Sequence, residues 1–408
     1  MSFELEGTYY MKFKTRLYWL FNSRVFKLLF FYFLVQGLGW LLSLVLSLDI
    51  MNVPRLELDA ANDLSLNDLH YKINSRTRKY APGTDIILIN SGDLDPIKFR
   101  QELADLIKIV SLYDAKVIGI DHTFSKDPQF IGSAALIEEL SENKKVVLAL
   151  NTQGKDHLKI QNATYGTVNL IQEPQTVRKY EGGGQTFAAQ IVRKFGVKHE
   201  LPEDPFLINY VAPEYQNITF DSQAVKELAF SEPRVVPVFN AHEVMTATDA
   251  SMLKGKIVLI GHFGSTALRD IKNDLEDKFS VPSDVNMIFR SPSMPGALIH
   301  ANAIDNLLRK EVRFRDISAT WWFKFLGLLF IFAYLYFLIF MEAGKVINIL
   351  VMLGLSLPAL YVVLYLMQYN LYIEMGSTLL QLLVFEEMVE IFSPLYNWIQ
   401  NKLKPAEL

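Results

Sequence analysis

No cysteine occurs among the 408 residues of this sequence. That one absence excludes disulfides, thiol nucleophiles, iron–sulfur clusters and cysteine-ligated zinc together. It does not fix the compartment, since a cysteine-free chain suits an oxidising or a reducing one. Charge is scarce as well. Asp, Glu, Lys and Arg make up 21% of the chain against 50% hydrophobic residues, and mean hydropathy is +0.17. The formal net charge of −4 supplies no basic surface, so no nucleic-acid partner is expected. A phosphate-binding glycine loop, a zincin helix and a nucleophile elbow are all missing. Gly182–Gly184 has no strand before it and no lysine after it, and reads as a flexible loop. Histidines do not recur at short spacing. The expectation is therefore a non-enzyme with no catalytic residue, no metal site and no cofactor.

What the sequence does contain is apolar length near both ends. Residues 28–48 carry no charge, and about 20 residues cross a hydrocarbon core. The run is too long for a signal peptide and lacks a small-residue cleavage pattern after it, so it reads as a retained anchor. Lys12, Lys14, Arg16, Arg24 and Lys27 precede it and favour a cytoplasmic N-terminus. A second span is expected over 320–341, with Trp321 and Trp322 at the interface. A third covers 346–367 and contains Pro358, and a fourth covers 371–392. Four spans put both termini in the cytoplasm, and three put the C-terminus outside. Arg309, Lys310, Arg313 and Arg315 lie on the expected outer side. That is tolerable because long domains translocate largely regardless of charge.

Between the anchors the pattern alternates strand and helix. DIILIN (85–90), KVIGIDHTF (116–124), 145–150 and IVLIG (257–261) read as buried strands, and Asp95–Pro96 reads as a helix start. Helices are expected over 134–140, 186–195 and 295–308. Residues 164–170 suggest a further strand, and 205–211 and 218–220 antiparallel additions. The implied fold is an α/β extracytoplasmic domain with a mostly parallel mixed sheet, joined to an α-helical membrane domain of four spans. The expected division is a cytoplasmic segment 1–27, a span 28–48, an extracytoplasmic domain 49–319, three spans over 320–392 and a cytoplasmic tail 393–408.

Four stretches carry a resemblance: DLSLNDLHYKINSRTRKYAPGTDIILIN, AKVIGIDHTF, LKGKIVLIG and PGALIHANAIDNLL. In this order, and flanked by one span before and three after, they resemble the second type of CHASE domain. That family is an extracytoplasmic sensory module of cyclases and histidine kinases. The resemblance covers residues 64–392. It implies a bacterial inner-membrane, multi-pass protein with its main domain in the periplasm. Two departures stand out: residues 271–293 are expanded, and only the short stretch 393–408 follows in place of a fused output domain. The resemblance thus implies a sensor-like subunit that relays to a separate partner. The rival reading is a non-sensing scaffold of an envelope complex.

Candidate site residues follow from strand ends, where parallel sheets bind ligands. Ser91 and Asp93 follow one strand, Asp121 and His122 end another, His262 follows a third, and His300 is a candidate neighbour. These six form the ligand-site expectation. Helix capping and loop tying are the structural alternative for each. Glu386, Glu387 and Glu390 fall within one helical turn as an acidic patch, and with Trp398 form the partner-binding expectation. Expected contacts are the lipid bilayer and a protein partner in the membrane or cytoplasm, with homo-oligomer formation left open. Pro394 is expected to interrupt the last helix and start a short second one.

Overall fold

A strand buried on both faces must be apolar along its whole length, and the strands that hold this fold together meet that demand. The computed structural model describes residues 15–47, 85–124, 131–151, 160–173, 176–210, 214–231, 235–264, 278–282, 294–310, 315–317, 320–341, 345–368, 371–372 and 376–404. The chain forms two compact units, one of helices from both ends of the sequence and one α/β unit centred on residues 68–315. Helix α1 (Arg24–Ser47) belongs to the first. The α/β unit begins with β1 (Ile86–Asn90), α2 (Phe99–Leu112), β2 (Val117–Ile120), α3 (Ser133–Glu142), β3 (Val146–Leu150) and β4 (Thr164–Thr167). It continues with β5 (Leu170–Glu173), β6 (Thr176–Tyr180), α4 (Phe187–Phe195), β7 (Phe206–Leu207) and β8 (Glu214–Asn217). Then come α5 (Ser222–Ser231), β9 (Val235–Asn240), α6 (Ala241–Thr246), β10 (Ile257–Gly261), β11 (Lys278–Phe279), β12 (Met294–Pro295) and α7 (Gly296–Arg309). Helices α8 (Trp321–Phe340), α9 (Lys345–Gln368) and α10 (Gly376–Leu403) complete the helical unit.

Seven strands form the main sheet in the order β4–β3–β2–β10–β1–β9–β8. Every pairing in it is parallel. Antiparallel pairing is confined to the small sheets, chiefly β5–β6–β7. β10 sits between β1 and β2, and all five of its residues are buried. Side chains alternate across the sheet. Ile118, Ile120, Val258 and Ile260 point to the face covered by α2, α3 and α6, where Leu103, Leu106, Ile107, Leu136 and Val244 complete the core. Gly119, Leu259 and Gly261 point the other way. There a Cβ on Gly119 would meet Ile191 and Phe187 of α4, and one on Gly261 would meet Ala297 of α7. α4 is amphipathic because Phe187, Ala188, Ile191 and Val192 recur on one side and are buried. It is capped by Thr186, whose side chain accepts from the Ala189 amide.

Several expectations need correction. Helix α2 starts at Phe99, not at Asp95. Asp95 forms a turn instead: its carboxylate accepts from the Ile97 amide at 2.8 Å, and its own amide is taken by Glu102. Residues 218–220 add no antiparallel strand. The strand is β8, and it pairs parallel with β9. β9 was not anticipated, because Pro237 within VVPVF argues against an internal strand. The ladder to β1 begins at Val238, so Pro237 lies outside it. Arg313 and residues 271–293 apart from 278–282 lie outside the described residues.

In the helical unit, α8 is twenty residues long and, at 1.5 Å per residue, extends about 30 Å. Among the described residues it is the one helix long and apolar enough to cross a membrane by that measure. Its core with α1 and α10 contains Phe31, Val35, Ile331, Tyr334, Leu335, Phe385, Val389 and Tyr396. Tyr32 stacks on Phe385 and lies beside Phe332, whereas Arg24 reaches Tyr336 and Phe21 lies against Tyr396. α1 therefore runs opposite to both α8 and α10. The expected break at Pro394 does not occur, since α10 continues to Leu403. An interior proline costs about 3 kcal/mol. Offsetting it, Tyr396 is fully buried, packs on Phe21, Phe30 and Phe31, and donates its hydroxyl to the Phe21 carbonyl. Gln400 adds a 2.8 Å bond to Asn22.

Gly119 offers the sharpest check of the two-sided packing. A Cβ there would lie 2.5 Å from Leu259 Cδ2 and 2.7 Å from Ile191 Cδ1. Gly119→Ala is expected to destabilise the α/β unit by about 1–3 kcal/mol, measured as a lowered denaturant midpoint with an unchanged slope.

Candidate functional site at the strand ends

The β1–β10–β2 order brings three chain turns to one end of the sheet. Ser91 leaves β1 and is held twice on the Gly261 carbonyl, by its amide at 2.9 Å and its hydroxyl at 3.0 Å. Its Oγ also lies 2.7 Å from His122 Nε2. Asn90, fully buried, accepts from the Gly92 and Phe263 amides and donates to the Gly264 carbonyl. Sequence reading missed Asn90. Its signal is a polar residue ending an otherwise apolar strand. Gly92 is required there because a Cβ would stand 2.4 Å from the Gly264 oxygen.

Asp121, His122 and His262 gather at the same end, but their environments differ. Asp121 is largely buried, and desolvation pushes its carboxyl up to about 7. His122 is held down to about 4, first by burial and then by the charge of His262. It is therefore a neutral imidazole at neutral pH, packed edge-on against Phe99 at 5.1 Å. His300 reaches the site from the second turn of α7. Its Nε2 is 3.8 Å from Asp121 Oδ1, and its Nδ1 is 2.7 Å from the Tyr180 hydroxyl. Tyr180, also missed by sequence reading, is buried on the neighbouring small sheet. Burial raises its phenol further.

Asp93 stands apart from this group. Its carboxylate accepts from the Ala241 and His242 amides at 3.1 and 3.0 Å, which caps the first turn of α6. No Ser–His–Asp relay forms. Asp121 faces His300, not His122, and the Ser91 hydroxyl is 2% exposed and engaged. Beside His122 opens a cleft of about 410 Å³ lined by Pro96, Ile97, Phe99, Arg100, Thr123, Phe124 and Ile131. Its rim is apolar, with Ile97 71% and Ile131 55% exposed. Among the described residues no group of three His, Asp or Glu side chains has metal-binding geometry.

A family model of the CHASE2 domain matches residues 40–340. The chain belongs to the CHASE2 domain family. This is a family of extracellular sensory domains. The match begins inside α1 and ends at Phe340, the last residue of α8. In sequence, the matched stretch thus includes the end of α1 and all of α8 as well as the α/β unit. No curated protein and no solved structure matches the chain.

The second candidate set lies on α10 and is divided by its packing. Glu386 is buried, at 8% exposure, close to Tyr334 of α8. Glu387 and Glu390 are exposed, and Trp398 is 58% exposed. The acidic patch therefore consists of Glu387 and Glu390, with Glu386 turned into the helical core.

The opposed shifts of Asp121 and His122 give a signed pH prediction. A carboxyl raised in the fold favours the folded state at low pH, and that stability is lost as pH rises through about 7. An imidazole lowered in the fold favours it above pH 6.5, and that stability is lost as pH falls towards 4. Between pH 6.5 and 4 the two oppose each other in the wild type. Relative to wild type, Asp121→Asn should lose stability on acidification over this window, at up to about 1.4 kcal/mol per pH unit. His122→Gln should gain it. Urea melts at stepped pH measure both slopes.

Proposed function

We propose that this protein is a membrane-anchored sensor subunit whose CHASE2 domain lies outside the cytoplasmic membrane. The domain binds a ligand or protein at the strand-end cleft, and the spans pass that state to a separate partner. The observation that carries the reading is the open, apolar-rimmed cleft beside His122, at the end of a parallel sheet where such ligands bind. Burial and engagement of the Ser91 hydroxyl support binding over catalysis.

The four-span topology is supported by helix direction. α1 runs opposite to α8 and α10, as it must if α1, α8, α9 and α10 cross in alternation. The cations Lys12, Lys14 and Arg16 before α1, with Arg24 and Lys27 in its first turn, favour the cytoplasm for that side. A scaffold without a ligand is the second reading. Asp93, Asn90 and Ser91 favour it, because each is spent on helix caps and loop ties.

The native chain has no cysteine, so single cysteines report cleanly. Asn217→Cys, on the exposed end of β8, should label from outside intact cells, and Asn401→Cys should not. Outside labelling of Asn401→Cys would reduce the spans to three. Failure of a folded Asn217→Cys to label would remove the extracytoplasmic placement. For the cleft, compounds are screened by thermal shift on the purified protein. A true cleft ligand at 100 times its Kd adds about 2.7 kcal/mol. Its shift should vanish in Ile97→Trp, whose exposed side chain narrows the rim without entering the core. A shift that persists in Ile97→Trp places binding elsewhere, and no shift from any compound favours the scaffold.

A further inference from the structure

The cluster at Asp121 contains more than a ligand edge needs. Three side chains from three elements, β2's end, α7 and β6, meet where solvent hardly reaches. His300 is 2% and Tyr180 1% exposed, and Asp121 is 13% exposed. Proton positions follow from the partners. The Tyr180 oxygen accepts from the Ala188 amide at 3.4 Å, and its single hydrogen has His300 Nδ1 within 2.7 Å. If the Tyr180 hydroxyl donates to Nδ1, a neutral His300 carries its hydrogen on Nε2, the nitrogen nearest Asp121 Oδ1. That contact is 3.8 Å, too long for a hydrogen bond. The imidazole is also held edge-on between Phe187 of α4 at 5.3 Å and the Tyr180 ring at 5.5 Å.

We propose that Asp121, His300 and Tyr180 form a proton-sensing switch, in which the charge of Asp121 sets how closely α7 sits against the sheet. With a proton on Asp121 the pair is neutral and the 3.8 Å gap is stable. When Asp121 releases that proton to solvent, a buried carboxylate faces the His300 Nε2–H. Charge-assisted bonds of this kind run at about 2.7–2.9 Å, so the gap closes by about 1 Å. Because Tyr180 and Phe187 grip the ring, the movement is shared by α7, β6 and the start of α4. Direct transfer of the Tyr180 hydrogen is disfavoured, since burial raises its phenol.

Other titratable or charged groups surround the cluster, among them Asp305 of α7, which is buried and paired with Arg309. His122, next to Asp121 in the chain, stays neutral down to about pH 4. His262 approaches from β10 and acts on His122. Glu181 follows Tyr180 and acts on its phenol. Arg178, buried on the same face of β6, keeps its charge throughout. α4 presents no charge in its first turn, and its cations Arg193 and Lys194 lie in its last.

The proposal deepens the sensor reading by naming protons as a signal at the same site, and the two can fail separately. The experiment uses the full chain in nanodiscs between pH 5.5 and 8.5. Infrared difference spectra read the protonated-carboxyl band, and hydrogen exchange reads α7. In the wild type the band should disappear with a midpoint near 7, and the protection of residues 296–309, taken at each pH relative to the intrinsic base-catalysed amide rate, should change several-fold over the same range. Asp121→Asn should abolish both changes. Should Asp121→Asn not fold, His300→Phe serves instead, keeping the carboxyl titration while losing the α7 response. Protection in α7 that ignores pH, or that still responds in either folded variant, overturns the switch. Outside labelling at residue 217 is unaffected by that result, so the topology stands or falls independently.

Discussion

The placement of β10 between β1 and β2 is the constraint on which everything else in the α/β unit depends. It is a parallel pairing across long sequence separation, Ile86–Asn90 with Ile257–Gly261 and Val117–Ile120 with Ile257–Ile260. Forming it pays a loop-closure cost before any contact rewards it. Five consecutive buried residues in β10 supply the return, with α2, α3 and α6 on one face and α4 and α7 on the other. Once β10 is in place, residues 91, 121, 122, 262 and 300 have no choice but to share one end of the sheet.

That shared end shows how burial divides similar residues into different roles. Asp93 and Asp121 are both carboxylates beside strand ends. Asp93 meets two backbone amides at the start of α6 and serves as a cap. Asp121 meets an imidazole at 3.8 Å and little water, and its proton affinity rises into the neutral range. His122 and His300 divide in the same way. One lines a cleft as a neutral ring, and the other is gripped by Tyr180 and Phe187 on the helix that precedes α8 in the chain. A CHASE2 domain built this way has its titratable groups where the first helix after the sheet begins.

In the helical unit, aromatic packing does the work that charge patterning cannot. Phe21, Phe30, Phe31 and Tyr32 of the N-terminal segment meet Phe332 of α8 and Phe385 and Tyr396 of α10. Tyr396 offsets the helix-breaking tendency of Pro394, because a buried aromatic contributes about as much as an interior proline costs. The same packing turns Glu386 inward and leaves Glu387 and Glu390 outside.

By itself the sequence determined the fold class, the parallel core strands and the apolar helices, because each depends on periodicity and composition within a short window. DIILIN and IVLIG could hardly be anything but buried strands, and the ordered motifs already resembled the family to which the chain belongs. The strand ends were legible as a polar edge for the same local reason. What only the tertiary structure decided was which of those polar residues face one another. Tyr180 carried no local signal of importance, Asn90 only that of a polar residue ending an apolar strand, and β9 was hidden by Pro237. The pairing of Asp121 with His300, and not of Asp121 with His122, follows from the approach of α7 to β10 across Gly261 and Ala297. Contacts of that kind join residues 179 positions apart in the chain. No window of local pattern spans such a distance, and only the packed sheet brings its ends together.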